Sequence, residues 1–555
     1  MDNLSFQPHL ETLTLNVRIN VAELVECCKV NPNLRKLYIE SNEIYGRLSD
    51  ITLDNNSLQY LESLHFVMKP EIDAAEYERL SKLPKLNELA IDGTHQIGTL
   101  RPLFSGLAER KQLTQLLLWR VVVNDEESHA ISQIKSLSRL ECGFFEAKSI
   151  GHLSNLRSLY HLNITSQNDL ASTLNGIVKI LMTTRKELIK IEFYNAEITY
   201  EAFPICINIS VRSTDISKFS VLSKVKNLNV LRICTTKKTK GSLQNLFNAF
   251  ANGNLQSLTV QTNMFQNDRN AISAVASIKS LKRVICIFND LSNIDVLARL
   301  PQLEVLVIIK NLLDKEQTDI ESDTKINSKE LKTLFAMIAT KLSPKLNCFH
   351  LSPEFPIDYS VTSELITIKS LKSITCSFSD DESIKCLDKL PKLLYLKITS
   401  QHDFSKISEA IIKILSSSPI EFKMEKDSID NSITWDPSKG LELNLIQGTD
   451  ANRYASLGKL ENCESLTVIG KCKLGSLHSL IRNLTLNQIQ KLKELQLMNS
   501  PINYEETLMI SQIKSLKHII CDFSDPRSYE VDFSHIDNMK ASHYINENKS
   551  LSQMV

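Results

Sequence analysis

The sequence predicts an α/β solenoid, with parallel strands along a concave face and helices and irregular turns along the convex one. Three observations lead there. The phrase Ser-Gln-Ile-Lys-Ser-Leu occurs at Ser132 to Leu137 and again at Ser511 to Leu516, with Ile-Lys-Ser-Leu at Ile278 to Leu281 and Ile368 to Leu371. Apolar lines of the form LxxLxL recur along nearly the whole chain, at a spacing typical of stacked strand-and-return units. The 555 residues contain only 14 Gly and 15 Pro and no Gly/Ser-rich or Pro-rich linker, so the length reads as one continuous array rather than tethered globular domains.

The best-formed line is Leu34-Arg-Lys-Leu37-Tyr-Ile39-Glu-Ser-Asn42-Glu-Ile44, which fills every apolar slot of LxxLxLxxNxL. Related lines begin at Leu10, Leu61, Leu86, Leu113, Leu137 and onward to Leu516, and degenerate ones lie around Ile207, Phe422, Leu443 and Leu466. Together they make about 20 repeats. In each LxL the two apolar residues point the same way, because strand side chains alternate with period two, and the residues between them face outward. The return segments carry a second apolar stripe at helical spacing, as in Leu243, Leu246, Phe247 and Phe250 or Leu331, Leu334, Phe335 and Ile338. The expected organisation is a short segment over 1–9, a continuous solenoid over 10–524 and a C-terminal cap with a flexible tail over 525–555.

The shared phrases add a longer period. Copies at Ile134, Ile278, Ile368 and Ile513 are 144, 90 and 145 residues apart, which reads as block duplication with one copy shortened by about two repeats. Each phrase leads into a strand, and the strands after the last three copies share a Cys-x-Phe-x-Asp block, as in Cys286 to Asp290, Cys376 to Asp380 and Cys521 to Asp525.

Composition narrows the function. Lys plus Arg equals Asp plus Glu at 64 each, which removes the bulk electrostatic reason to expect nucleic acid or a membrane surface as partner. The first ten residues lack the basic and apolar regions of a secretory signal, and no run approaches the ~18 apolar residues of a membrane span. A soluble cytoplasmic protein is expected, with the nucleus left open. Its 12 cysteines form no CxxC pair and are expected to be reduced.

No phosphate-binding loop, dinucleotide fingerprint, nucleophile elbow or zinc helix is present, so neither cofactor nor catalytic residue is assigned. The recurring Cys142, Cys286, Cys376 and Cys521 fall on an inward strand slot and read as small core residues, not as metal ligands. Asp290, Asp380 and Asp525 follow strands, where they would satisfy turn amides.

A protein partner on the concave face remains. Outward slots are mostly polar, with Tyr38 and Tyr194 as aromatic members. Trp119 departs from this, since Leu116 and Leu118 take the inward slots and leave Leu117 and Trp119 outside. Farther along, Arg283, Ile285 and Ile287 followed by Val305, Val307 and Ile309 place aliphatic side chains outward. Two readings of that patch are open: it binds a partner, or the acid-rich stretch from Asp314 to Asp323 within residues 310–328 folds back over it.

The repeat grammar, cysteine-bearing strand ends and irregular helical returns resemble the cysteine-containing and ribonuclease-inhibitor-like leucine-rich-repeat proteins, including the repeat region of F-box/leucine-rich-repeat substrate receptors. The resemblance spans roughly residues 10 to 525. It implies a horseshoe-shaped recognition scaffold, and more narrowly an adaptor with ubiquitin-ligase components as partners, or an enzyme inhibitor. The ~40-residue F-box helices that precede the repeats in such receptors have no room before Leu10.

Overall fold

The computed structural model describes residues 9–543, apart from 42, 53–57, 69–73, 167, 184–186, 194–195, 213–214, 236–241, 262–267, 289–290, 311–327, 418, 428–429 and 487–490. It divides into two compact units, one of Met1–Met264 with Ser273–Leu281 and one of Phe265–Ile272 with Lys282–Val555.

In the first unit the strands Thr12–Leu15, Lys36–Ile39, Ser63–Val67, Glu88–Asp92, Gln115–Val123, Arg139–Phe144, His161–Ile164 and Leu188–Phe193 lie side by side and parallel. Their register stacks the same slot of each line, so Leu37, Leu64, Leu89, Leu116, Leu140 and Leu162 form one buried row. Parallel neighbours need a crossover, and each is supplied by a return segment whose apolar stripe packs behind the sheet. The helix Ser242–Phe250 buries Leu243, Leu246, Phe247 and Phe250, as its spacing requires. Elsewhere the return tightens to 3-10 geometry, as in Ala74–Lys82 and Ile216–Lys224. This alternation of parallel strand and helical return is the leucine-rich-repeat α/β solenoid that the sequence grammar predicts.

The second unit repeats the plan with Arg283–Phe288, Val305–Lys310, Cys348–Leu351, Ser373–Cys376, Tyr395–Ile398 and Glu421–Met424. Beyond its reversed segment follow Ser465–Ile469, Glu494–Met498 and His518–Phe523.

Two features differ from the expectation. Among the described residues each unit contains one reversed strand within the sheet: Ala196–Ala202 runs antiparallel between Leu188–Phe193 and Ile205–Val211, and Ser432–Asp436 does so between Glu421–Met424 and Gly440–Asn444. Here the return segment itself joins the sheet, because Ala196, Ile198 and Tyr200 alternate with Glu197, Thr199 and Glu201 and the links are too short for a helix. The second difference lies at the C-terminus. Asn538–His543 pairs parallel with His518–Phe523, so the ladder extends past residue 524. Ile536-Asp-Asn-Met539-Lys-Ala541 fills the LxxLxL slots with weaker apolar residues, and Met539 opposite Ile519 remains 38% exposed.

The shared phrase is structural. Its Ile and Leu are fully buried in all four copies. In three of the copies the serine before that Leu donates from Oγ to a carbonyl of the preceding repeat, Ser136 to Leu113 at 2.7 Å, Ser280 to Leu255 at 2.8 Å and Ser370 to Leu346 at 2.6 Å, whereas the Oγ of Ser515 in the fourth is buried without such a bond. The helices before it are capped by side chains: Asn124 accepts from the Glu127 amide and Asp358 from that of Val361. Among the described residues no helix is long and apolar enough to cross a membrane.

Candidate functional site

Two surfaces emerge on the solvent side of the strands, one in each unit. In the first, the register sets Tyr38, His65, Ala90 and Leu117 in a row across four neighbouring strands. Trp119 lies two residues beyond Leu117 on the same strand. Its ring meets His65 edge to face with centroids 4.8 Å apart, and His65 in turn meets Tyr38 at 6.2 Å. Ala90 stands between the strands of His65 and Trp119, and its small side chain leaves the gap across which the two rings touch.

Trp119 is held there by a local irregularity. The strand Gln115–Val123 shifts register against Arg139–Phe144 between Leu117 and Val122, a bulge that re-aims side chains. Within it Arg120 takes a left-handed φ of 59° and grips Asp92 bidentately, Nε to Oδ1 at 2.7 Å and Nη2 to Oδ2 at 2.6 Å. Opposite sits Gly143, where a Cβ would stand 3.0 Å from the Val121 carbonyl oxygen. The corresponding residues after Cys286, Cys376 and Cys521 are Ile287, Ser377 and Asp522.

Burial lowers the pKa of His65, opposed by the nearby charges of Asp92, Glu40 and Glu88. Its Nε2 is buried with no hydrogen-bond partner. Leu117 holds the outward slot of its strand, between Ala90 and Glu141, but it is not an exposed side chain there: only 7% of it reaches solvent. Trp119 and Tyr38 are half-buried. Tyr194 lies outside the described residues.

The second surface brings together the whole aliphatic set. Arg283 pairs in register with Val305, Ile285 with Val307 and Ile287 with Ile309. All five aliphatic residues are half-buried and Arg283 is exposed. The next strand extends the patch with Cys348 beside Val305 and His350 beside Val307. Burial, then the Lys397 charge, lowers the pKa of His350. Residues 311–327 are outside the described part, and with them the question of a cover over this patch.

Sequence reasoning missed His65 and Ala90 as members of these surfaces, and it read His350 as an outward strand residue that touches a partner without joining it to the aliphatic patch. Each was visible as an outward residue of an LxL, but only the register shows which outward residues become neighbours.

A third feature is a polar depression of about 310 Å³ lined by Asn163, Glu192, Phe193, Ala196, Glu197, Ser210 and Arg212, where the reversed strand enters the first unit. Lys190 bridges Glu192 at 2.6 Å and Glu197 at 3.3 Å, and it holds the Glu192 carboxyl below its ordinary pKa. The pair Lys423–Glu425, at 3.7 Å, occupies the matching place in the second unit.

The recurring cysteines are core residues. Burial pushes the thiols of Cys142, Cys286 and Cys376 well above their ordinary pKa, and that of Cys521 up to about 12. Among the described residues no three His, Cys, Asp or Glu side chains are grouped so as to hold a metal ion. Asp380 accepts from the Ser383 amide and Asp525 from that of Arg527, the backbone role their positions suggest, while Asp290 lies outside the described residues.

No family model and no curated protein matches this chain. Among solved structures it is similar to the TLR13–ssRNA13 complex, at 15% identity and a TM-score of 0.33 over 84% of this chain and 64% of that one. It thus spans somewhat less than two thirds of the TLR13 chain. An internalin (inlF) from Listeria monocytogenes shows 14% identity and a TM-score of 0.16 over 88% of both chains. The leucine-rich-repeat fold is carried by the register and the filled LxxLxL slots of this chain itself.

Proposed function

We propose that this protein is a non-enzymatic recognition scaffold that binds a protein partner on the solvent face of its strands. The observation that carries the reading is the pair of contiguous surfaces, aromatic at Tyr38, His65 and Trp119 and aliphatic at Ile285, Ile287, Val305, Val307 and Ile309. Partly exposed aromatic and aliphatic side chains in contiguous rows are the usual anchors of protein interfaces. Crosslinking mass spectrometry of the intact chain in its native cells identifies the partner. Trp119→Ala and Ile287→Asp should then each weaken capture by about tenfold, the ~1.4 kcal/mol scale of an interface anchor. Undiminished capture by both folded variants overturns the reading.

Its narrower form, an adaptor of a cullin-type ubiquitin ligase in the cytoplasm, rests on the family resemblance. It requires cullin and its linker protein among the crosslinked partners. A regulator or inhibitor of an enzyme is the alternative form, and it requires an enzyme there instead.

A further inference from the structure

The two surfaces occupy one and the same position of a duplicated architecture. Ile134 and Ile368 are 234 residues apart, and Ile278 and Ile513 are 235 apart. Elements follow that spacing: helix Leu170–Thr183 corresponds to Phe404–Ser417, the reversed strand Ala196–Ala202 to Ser432–Asp436, and the 3-10 segment Ile216–Lys224 to Ala451–Lys459. The 90-residue interval between Ile278 and Ile368 is therefore better matched to the three strands before Ile134 than to a shortened long block. Ser63–Val67, Glu88–Asp92 and Gln115–Val123 match Arg283–Phe288, Val305–Lys310 and Cys348–Leu351. Their connections agree as well, Ala74–Lys82 with Ile294–Arg299 and Arg101–Arg110 with Ser328–Ala339.

Register then equates side chains: His65 with Ile285, Ala90 with Val307, and Leu117 with His350. The same three strands thus assemble in the second unit without an aromatic row. Trp119 falls where Cys348–Leu351 has already ended. The rings are not needed to hold these strands together. Acids mark the same contrast, since Glu88, Asp92 and Glu141 of the first unit correspond to Val305, Ile309 and Thr375 of the second. Glu40 follows the Tyr38 strand, and with Glu88 and Asp92 it acts electrostatically on His65. The bases on these strands are Lys36, Arg139 and Arg120, and the last is already engaged by Asp92.

We propose that Tyr38, His65 and Trp119 receive a cationic side chain, an arginine of an extended protein segment, with Glu40, Glu88 and Glu141 as its anionic surround. A guanidinium is planar and weakly hydrated, so it stacks on an indole face while its N–H groups reach carboxylates. This inference rests on the recognition reading above and names the chemistry of one of its two surfaces.

Trp119 reports on its own site. The chain has two tryptophans, and Trp435 is 3% exposed, so Trp435→Phe leaves Trp119 as the sole indole, excited selectively over the tyrosines at the red edge of its absorption. The full-length variant is titrated with an acetylated Gly/Ser hexapeptide carrying two arginines, and with the same peptide carrying citrulline or glutamate. The arginine peptide should shift emission saturably, and citrulline should bind at least about threefold more weakly. His65→Ile and Glu88→Val, the residues the second unit uses, should keep the thermal melt and weaken arginine binding about threefold to thirtyfold. Should Trp435→Phe fail to fold, the wild-type chain is read as difference emission against Trp119→Phe. Equal binding of citrulline, preference for glutamate, or no response to the arginine peptide overturns the proposal. The recognition reading is tested separately, by partner capture with the Trp119→Ala and Ile287→Asp proteins, and stands or falls on that result alone.

Discussion

Trp119 is placed by several neighbours at once: the bulge, the Arg120 grip on Asp92, the bare Cα of Gly143 and the small Ala90. A methyl group at Gly143 would press on the Val121 carbonyl, so Gly143→Ala should cost about 1–3 kcal/mol in a denaturant melt, as overpacking does. Ser377→Ala, at the matching position of a strand pair without a bulge, should be near neutral. Equal losses for the two would mean that the bulge imposes no special demand there. His65 offers a pH test. Burial depresses its pKa below the ordinary 6.5, against the opposing charges of Asp92, Glu40 and Glu88, so the folded protein keeps the ring neutral where the unfolded chain protonates. The stability tied to His65 is present above about pH 6.5 and is lost as pH falls through the folded pKa. NMR titration should place the His65 midpoint under 6.5, and Trp119→Ala should move it up by thinning the burial. A midpoint at or above 6.5 in the wild type contradicts the packing described.

At the scale of elements, capping and interlocking residues do most to fix the boundaries. The Oγ of Ser370 ties its turn to the Leu346 carbonyl of the preceding repeat, and Ser370→Ala should cost about 1 kcal/mol. Asn124→Ala, which removes a capping box, should cost a similar ~1 kcal/mol. Thermal melts of the two variants check both values. The strands and return helices were legible because LxxLxL and the apolar stripes at helical spacing are local signals. The reversed strands were not, since an alternation such as Ala196, Ile198, Tyr200 reads the same in either chain direction. The usable clue was distance: Leu188–Phe193 and Ile205–Val211 stand too close in sequence to hold a helical return between them. For the surfaces, period two put Trp119 and the Ile285 to Ile309 set outward, and in the structure they are half-buried. It could not show that Leu117 would be only 7% exposed, because the residues beside it in register, Ala90 and Glu141, come from other repeats.

Across the whole molecule, the duplicated order gives two units with the same scaffold and different outer faces, and that contrast separates residues that build the fold from residues free to serve recognition. Most thiols belong to the first kind. Among the 12 cysteines Cys234 is exposed and Cys348 is half-buried, so alkylation of the native protein should label Cys234 first and Cys348 next, with Cys142, Cys286, Cys376 and Cys521 reacting only on unfolding. Cys348 borders the aliphatic patch, so a bound partner should protect it while leaving its reactivity in the free protein intact. The most direct test is hydroxyl-radical footprinting of the crosslinked partner complex. Binding on the strand face predicts protection of Trp119, His350 and Cys348, with Met182 and Met337 on the return helices still oxidised; protection of Met182 and Met337 with Trp119 and His350 unchanged would contradict it.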